Sequence, residues 1–381
     1  MPHPLILLGA GASVEAGIPT AIGMTTAVID WLEKQRRHSQ VMLLRYVAAT
    51  LNLDRSKKGL DPFSGLNIED LLAALKMLAQ RTEMQLAPFV YQWSPFIDKL
   101  ESPEPGTYLY DGLERAFREA IENGRSNPFA TRRFRNKLEA VLDRASWRRS
   151  PVFADAATFV TRALIDRLWL HDPECVTYLK PLVKAAAEKS LTVATLNYDN
   201  TVELAASHTG VPVQTGIEGW SQTGLFEAPG DGIELLKLHG SINWRHRYEH
   251  HSDDAPLPHD VVDRLTEVPE GRPYEPAIIL GAGNKLTAHG PYLELLRTFK
   301  HRLEDVEDLL VVGYSFGDDH VNEALYGWMN RQSTRRIVII DRPGLNVEHH
   351  PFHRQFSRHL DGRLNILPLG TGAGLTAYFT L

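Results

Sequence analysis

The sequence predicts an α/β fold in which a doubly wound parallel sheet carries a large helical insertion. Three observations predict it. A continuous apolar run, Leu5-Ile6-Leu7-Leu8, ends in Gly9, as a strand covered on both faces would. Apolar runs of the same kind return only after residue 190, at Leu191–Leu196, Leu235–Leu238, Ala277–Leu280, Leu309–Val312 and Ile337–Ile340. Between about Met24 and Ser190 the periodicity is helical instead.

Taken in order, the first run and a small-residue turn open the chain. Ile68–Leu75 then reads as an amphipathic helix, followed by helices around Tyr108–Glu122, Thr131–Arg149 and Pro151–Leu170. Breaks containing Pro or Gly fall at Lys58–Gly65, Ser102–Gly106 and Asn123–Pro128. The expected organisation is a discontinuous Rossmann-like domain over 1–23 and 188–381, with 24–187 inserted as a helical domain. Arg245–Pro276 is polar and reads as a surface loop. Its histidines, His246, His250, His251 and His259, repeat no ligand spacing, so they read as solvated side chains and not as a metal site. The pairs Arg132-Arg133 and Arg148-Arg149 read as solvated helix faces, with no direct nucleic-acid contact expected.

Composition narrows the classes further. The chain has 381 residues, 43% hydrophobic and 23% charged, which is ordinary for a folded globular protein. A net charge of −6 gives no global attraction to nucleic acid or to an anionic membrane. The single cysteine, Cys175, excludes an intrachain disulfide and any multi-cysteine zinc site. No apolar run is long enough to span a bilayer, and the N-terminus lacks a basic leader, so a cytoplasmic location is expected.

The motifs sit at strand ends. Gly9-Ala10-Gly11-Ala12-Ser13 follows the first strand, and its small residues would let backbone approach a pyrophosphate at the start of the next helix. A tight turn without a ligand would use the same residues. No Walker lysine is present. Asn197 and Asp199 end the Leu191 strand, where an amide could bond ribose hydroxyls and a carboxylate could accept from a carboxamide; an Asx turn is the simpler use of both. His239, in Leu238-His239-Gly240-Ser241, could move a proton from a ribose hydroxyl or a water. Gly313 and Ser315 follow the Leu309 strand, at the place for a phosphate or ribose. Asp341 could bind an adenosine ribose, or merely cap a helix.

Together these motifs resemble the sirtuin (silent information regulator) superfamily. They are most similar to its divergent bacterial branch of sirtuin-like NADases in antiphage defence. The resemblance rests on Gly9 to Ser13 with Ala16-Gly17-Ile18-Pro19, on Thr195-Leu196-Asn197-Tyr198-Asp199, on Leu238 to Ser241 and on Gly313-Tyr314-Ser315-Phe316. Asn67-Ile68-Glu69-Asp70-Leu71-Leu72 also looks like a stretch common in that branch. The resemblance implies NAD as substrate. Gly9, Ala10, Gly11, Ser13, Thr20, Gly313, Ser315 and Asp341 would hold the dinucleotide, and Asn197, Asp199 and His239 would serve catalysis. It also implies a homo-oligomer and a HerA-type ATPase partner. Two departures point away from protein deacylation. Thr20-Ala21-Ile22 stands where deacetylases continue Gly-Ile-Pro with Asp-Phe-Arg, and the paired zinc cysteines are missing. The expected activity is therefore NAD hydrolysis to nicotinamide and ADP-ribose. The alternatives are a deacylase or ADP-ribosyltransferase with an unusual acceptor site, and a non-catalytic NAD or ADP-ribose sensor.

Overall fold

The structure is a computed structural model that describes residues 4–61, 65–81, 83–85, 97, 152–227, 230–249, 259–269, 274–279, 290–357, 360 and 362–380. The helices expected around Tyr108–Glu122 and Thr131–Arg149, with their arginine pairs, lie outside the described residues, as do His250 and His251.

Seven strands form one parallel sheet: β1 (Leu5–Leu8), β2 (Leu191–Thr195), β3 (Val213–Gln214), β4 (Ile233–Lys237), β8 (Asp308–Val312), β9 (Arg336–Asp341) and β10 (Leu364–Pro368). Their spatial order is β10-β9-β8-β1-β2-β4-β3. The chain leaves the central β1 toward β2 and later returns on its other side at β8. That reversal is the topological switch point at which open α/β sheets bind ligands. The expected α/β fold with a doubly wound parallel sheet is thus the fold observed.

Apolar side chains alternate between the two faces of the sheet. Leu5, Leu7, Leu309, Val311, Ile337 and Ile339 share one core with Leu295 and Phe299 of α8 (Tyr292–Glu304) and with Leu325 and Trp328 of α9 (Asp319–Arg331). The intervening residues turn to the other face, where α11 (Thr371–Thr380) lies against β9 and α5 (Lys180–Glu188) against α11. Burial on both faces is why these strands read as unbroken apolar runs.

Met1–Ala73 with Phe159–Leu381 form one compact unit and Ala74–Thr158 a second. Helices α1 (Ala21–Lys34) and α2 (His38–Lys57) belong to the first unit, while α3 (Ile68–Ala79) and α4 (Val152–Leu168) cross the division. Within the first unit, Trp31 Nε1 donates to Asp166 at 3.0 Å and Thr25 Oγ1 to the Leu66 carbonyl at 2.6 Å. No single helix among the described residues is long and apolar enough to cross a membrane.

Three local expectations are corrected. The Ala277 run does not join the parallel sheet. As β7 (Pro276–Ile278) it pairs antiparallel with β5 (Gly240–Glu249), in a small sheet completed by β6 (His259–Arg264). Part of the Arg245–Pro276 segment is accordingly strand and not loop. Its polar residues stay in register through cross-strand ion pairs: Arg245 and Arg247 both reach Asp263, and His246 Nε2 lies 3.1 Å from Asp260. Finally, the turn after β1 winds into a 3₁₀ helix, Ala10–Ala16, which stops at Gly17 before any α-helix begins.

Candidate functional site

The loops that follow β1, β2, β4 and β8 meet at the carboxyl edge of the sheet. Two of them are in backbone contact. Gly9 N donates to Val312 O at 2.9 Å and Gly11 N to Gly313 O at 2.8 Å. Gly313 holds φ +62°, and a Cβ there would collide with the Ala12 nitrogen and the Gly11 carbonyl carbon. The glycines thus serve first to let two loops touch across the switch point. Gly313→Ala is expected to destabilise the fold, by about 1–2 kcal/mol for the left-handed backbone and about 1–3 kcal/mol for the clash. Urea unfolding measures it.

The loop after β2 is locked onto the glycine loop. Asn197 Nδ2 donates to the Gly9 carbonyl at 2.9 Å and to Ser13 Oγ at 3.0 Å, and Ser13 Oγ donates to Asp199 Oδ2 at 2.7 Å. Asp199 Oδ1 accepts from the Thr201 amide and hydroxyl at 3.1 and 2.6 Å, in the Asx-type turn that starts α6 (Thr201–Ser207). Behind this turn Lys237, 0% exposed, donates to the Asp199 carbonyl at 2.6 Å and to Glu203 Oε1 at 2.8 Å. Buried charge is tolerated here because both ends are paired. Ser13, Asn197 and Asp199 therefore form one network, with Ser13 and Asp199 engaged by protein groups.

His239 lies just past the end of β4. Its Nε2 lies 2.9 Å from Asp318 Oδ2, with side-chain exposures of 8% and 6%. Tyr198, between Asn197 and Asp199, brings its ring centroid to 6.3 Å from the imidazole. The Tyr198 hydroxyl sits 2.8 Å from Glu69 Oε1 in the first turn of α3 and 2.7 Å from the Ile279 carbonyl. Burial, then the adjacent Glu69 carboxylate, push this phenol well above its ordinary value, so it stays protonated and donates. A small hollow opens between His239, Ile279, Tyr292, Asp318 and His320. A larger hollow lies at the opposite, amino-terminal edge of the sheet, among Pro4, Leu191, Arg336 and Asn365, far from every strand-end motif. The strand-end chemistry, not cavity size, marks the candidate site.

The other sequence candidates occupy the rim. Ala10, Thr20 and Ser315 are exposed, and Gly11 and Gly313 are half-buried. Asp341 is half-buried at the end of β9, with Oδ2 3.5 Å from His350 Nε2. The buried His350 accepts from the Phe352 amide through Nδ1. Its pKa is held below the ordinary value of 6.5, chiefly by burial and also by His353, against the opposing pull of Asp341. Below about pH 6.5 the unfolded chain binds a proton that the folded chain refuses. Stability is therefore expected to fall as pH drops from 6.5 toward the lowered folded value, and to level off beneath it. Unfolding titrations at several pH values should show this slope reduced in His350→Asn, which keeps a capping acceptor.

Sequence reasoning missed Asp318, Lys237 with Glu203, and the contact of Glu69 with Tyr198. Asp318 was detectable only as an acid ahead of an apolar helical pattern; its N-cap bond, Oδ1 from Val321 N at 3.1 Å, is the kind such a residue makes. Among the described residues no group of three or more His, Cys, Asp or Glu is placed to hold a metal ion.

Residues 191–358, which carry Asn197, Asp199, His239, Gly313, Ser315, Asp318 and Asp341, match the family model described as a SIR2-like domain. The match is to a part of the chain, less than half of its length. Among solved structures, a mutant Sir2 homologue in complex with 2′-O-acetyl ADP ribose is 14% identical, with TM-score 0.41 over 100% of this chain and 91% of that one. A Sir2 homologue–NAD complex is 13% identical, with TM-score 0.42 over 100% and 88%. No curated protein matches the chain.

Proposed function

We propose that the chain is an NAD glycohydrolase that cleaves the nicotinamide–ribose bond to give nicotinamide and ADP-ribose. One observation carries the reading: Asn197 and His239 follow the neighbouring strands β2 and β4, with the Tyr198 ring centroid 6.3 Å from the imidazole, beside the glycine loop at the switch point. Asn197 spends both amide protons on Gly9 and Ser13, which fixes the plane in which Oδ1 is presented. A ribose hydroxyl would meet that oxygen in a preset orientation. The C1′–nitrogen bond breaks with its electron pair leaving on neutral nicotinamide. Water adds its oxygen to C1′, and His239 accepts the proton that this water gives up.

Composition supports leaving acyl transfer out of this reading. With one cysteine, the chain cannot build a four-cysteine zinc module. In this reading the activity serves antiphage defence in the cytoplasm, under the control of homo-oligomer assembly and a HerA-type ATPase, an assignment supported only by the likeness of the motifs to the defence-associated branch. The test is nicotinamide release from NAD by the full chain, alone and with such an ATPase, with and without acyl-peptides. Nicotinamide with ADP-ribose is the expected pair of products. Release only with acyl-peptide, accompanied by O-acyl-ADP-ribose, would replace hydrolysis by deacylation, and binding without release under every condition would leave a sensor.

A further inference from the structure

We infer that Asp318 fixes the tautomer of His239, so that Nδ1 and not Nε2 is the nitrogen that accepts a proton. The catalytic consequence rests on the proposed NAD cleavage; the geometric argument does not. Oδ2 of Asp318 stands 2.9 Å from Nε2 of His239, with both side chains shielded from water. A carboxylate offers only lone pairs, so the nitrogen facing it carries the proton. The imidazole lone pair is then on Nδ1.

Asp318 is held for this task. Its Oδ1 caps α9 at the Val321 amide, and its own amide donates to the Tyr314 hydroxyl at 3.1 Å. Asn322, one turn along α9, lies 2.9 Å from the same hydroxyl and donates through Nδ2 to the Phe316 carbonyl at 2.8 Å. Phe316 is a non-glycine residue with φ +56°, so this loop keeps a strained backbone where the surrounding bonds over-determine it. The carboxylate is thereby divided, one oxygen for the helix and one for the imidazole. Asp318 touches the base and not the reacting atoms; it is a positioning residue.

The test is the ring-nitrogen NMR spectrum of full-length chain labelled with 15N-histidine at neutral pH, with the His239 signals assigned by their loss in His239→Gln. The wild type is expected to show a protonated Nε2 and an unprotonated Nδ1. Asp318→Asn can keep its oxygen on the helix cap while turning its NH2 toward the ring, which forces the proton to Nδ1. In that variant kcat for nicotinamide release should drop about 100-fold or more, with KM for NAD little changed. A wild-type His239 protonated on Nδ1, or a tautomer unmoved in Asp318→Asn, overturns the inference. If the variant does not fold, the wild-type spectrum alone decides it. A wild type that shows the Nε2–H tautomer, lost in Asp318→Asn, yet releases no nicotinamide would end the proposed activity and leave the positioning role standing.

Discussion

His239→Ala is expected to lower nicotinamide release by about 10²- to 10⁴-fold, the usual worth of a positioned general base. The loss should appear in kcat, because in the proposed reaction the imidazole acts on the attacking water and adds little to binding of the dinucleotide. Stability should change much less. The side chain is 8% exposed in a small hollow, and its hydrogen bond goes to one carboxylate. Removing it leaves Asp318 capping α9 through its other oxygen. Steady-state nicotinamide assays beside urea unfolding separate the two effects. A His239→Ala chain that turns over NAD at the wild-type rate would show that the proton leaves by another route.

Lys237→Met should produce the largest stability loss, about 3–5 kcal/mol, the typical effect of breaking a buried ion pair by removing one partner. Methionine reproduces the length of the side chain but not its charge. Glu203, with a side chain 10% exposed, would keep its carboxylate without the ammonium, and the Asp199 carbonyl would lose its donor. The loss is therefore expected to reach the site, because Asp199 is one end of the network through Ser13 to Asn197. The double variant Lys237→Met, Glu203→Leu should recover much of the stability, since a buried pair replaced by apolar groups is often neutral. Denaturant unfolding of both variants decides the matter. A single variant within about 1 kcal/mol of wild type would mean that the pair contributes no more than an exposed one.

The central strands were legible because burial on both faces leaves an unbroken apolar signature; β1, β2, β4, β8 and β9 each coincide with a run read from the sequence, to within a residue or two. The short edge strand β3, with two residues, carries too little pattern to read. At the other edge β10 is only partly buried, and its polar Asn365 interrupts the run. The hairpin β5–β6 was illegible for a different reason. Its charged residues compensate one another across the ladder, and composition alone makes such a segment look like loop.

The site divides along the same line. Each strand-end motif could be placed from the sequence, because Asn197, His239 and Gly313 follow apolar runs. What the sequence could not supply was pairing over distance. His239 and Asp318 are 79 positions apart, Ser13 and Asp199 186, and Tyr198 and Glu69 129. Neither periodicity nor local turn chemistry reports such partners. The contacts also give Asp199 and Ser13 structural duties, and for Asp199 the Asx-type turn is the use that the sequence already allowed.

The position of β1 has a consequence for biosynthesis. This strand is flanked in the finished sheet by β2 and β8, yet β8 begins at Asp308. At about 5–20 residues per second on the ribosome, Leu5–Leu8 waits on the order of tens of seconds for its second neighbour. Throughout that interval one of the most apolar stretches of the nascent chain has an open hydrogen-bonding edge, a hazard for misassembly. The same ordering is protective. Gly11 cannot meet Gly313 until β8 and the loop after it have been made, so a translation product stopped short of β8 has no assembled candidate site.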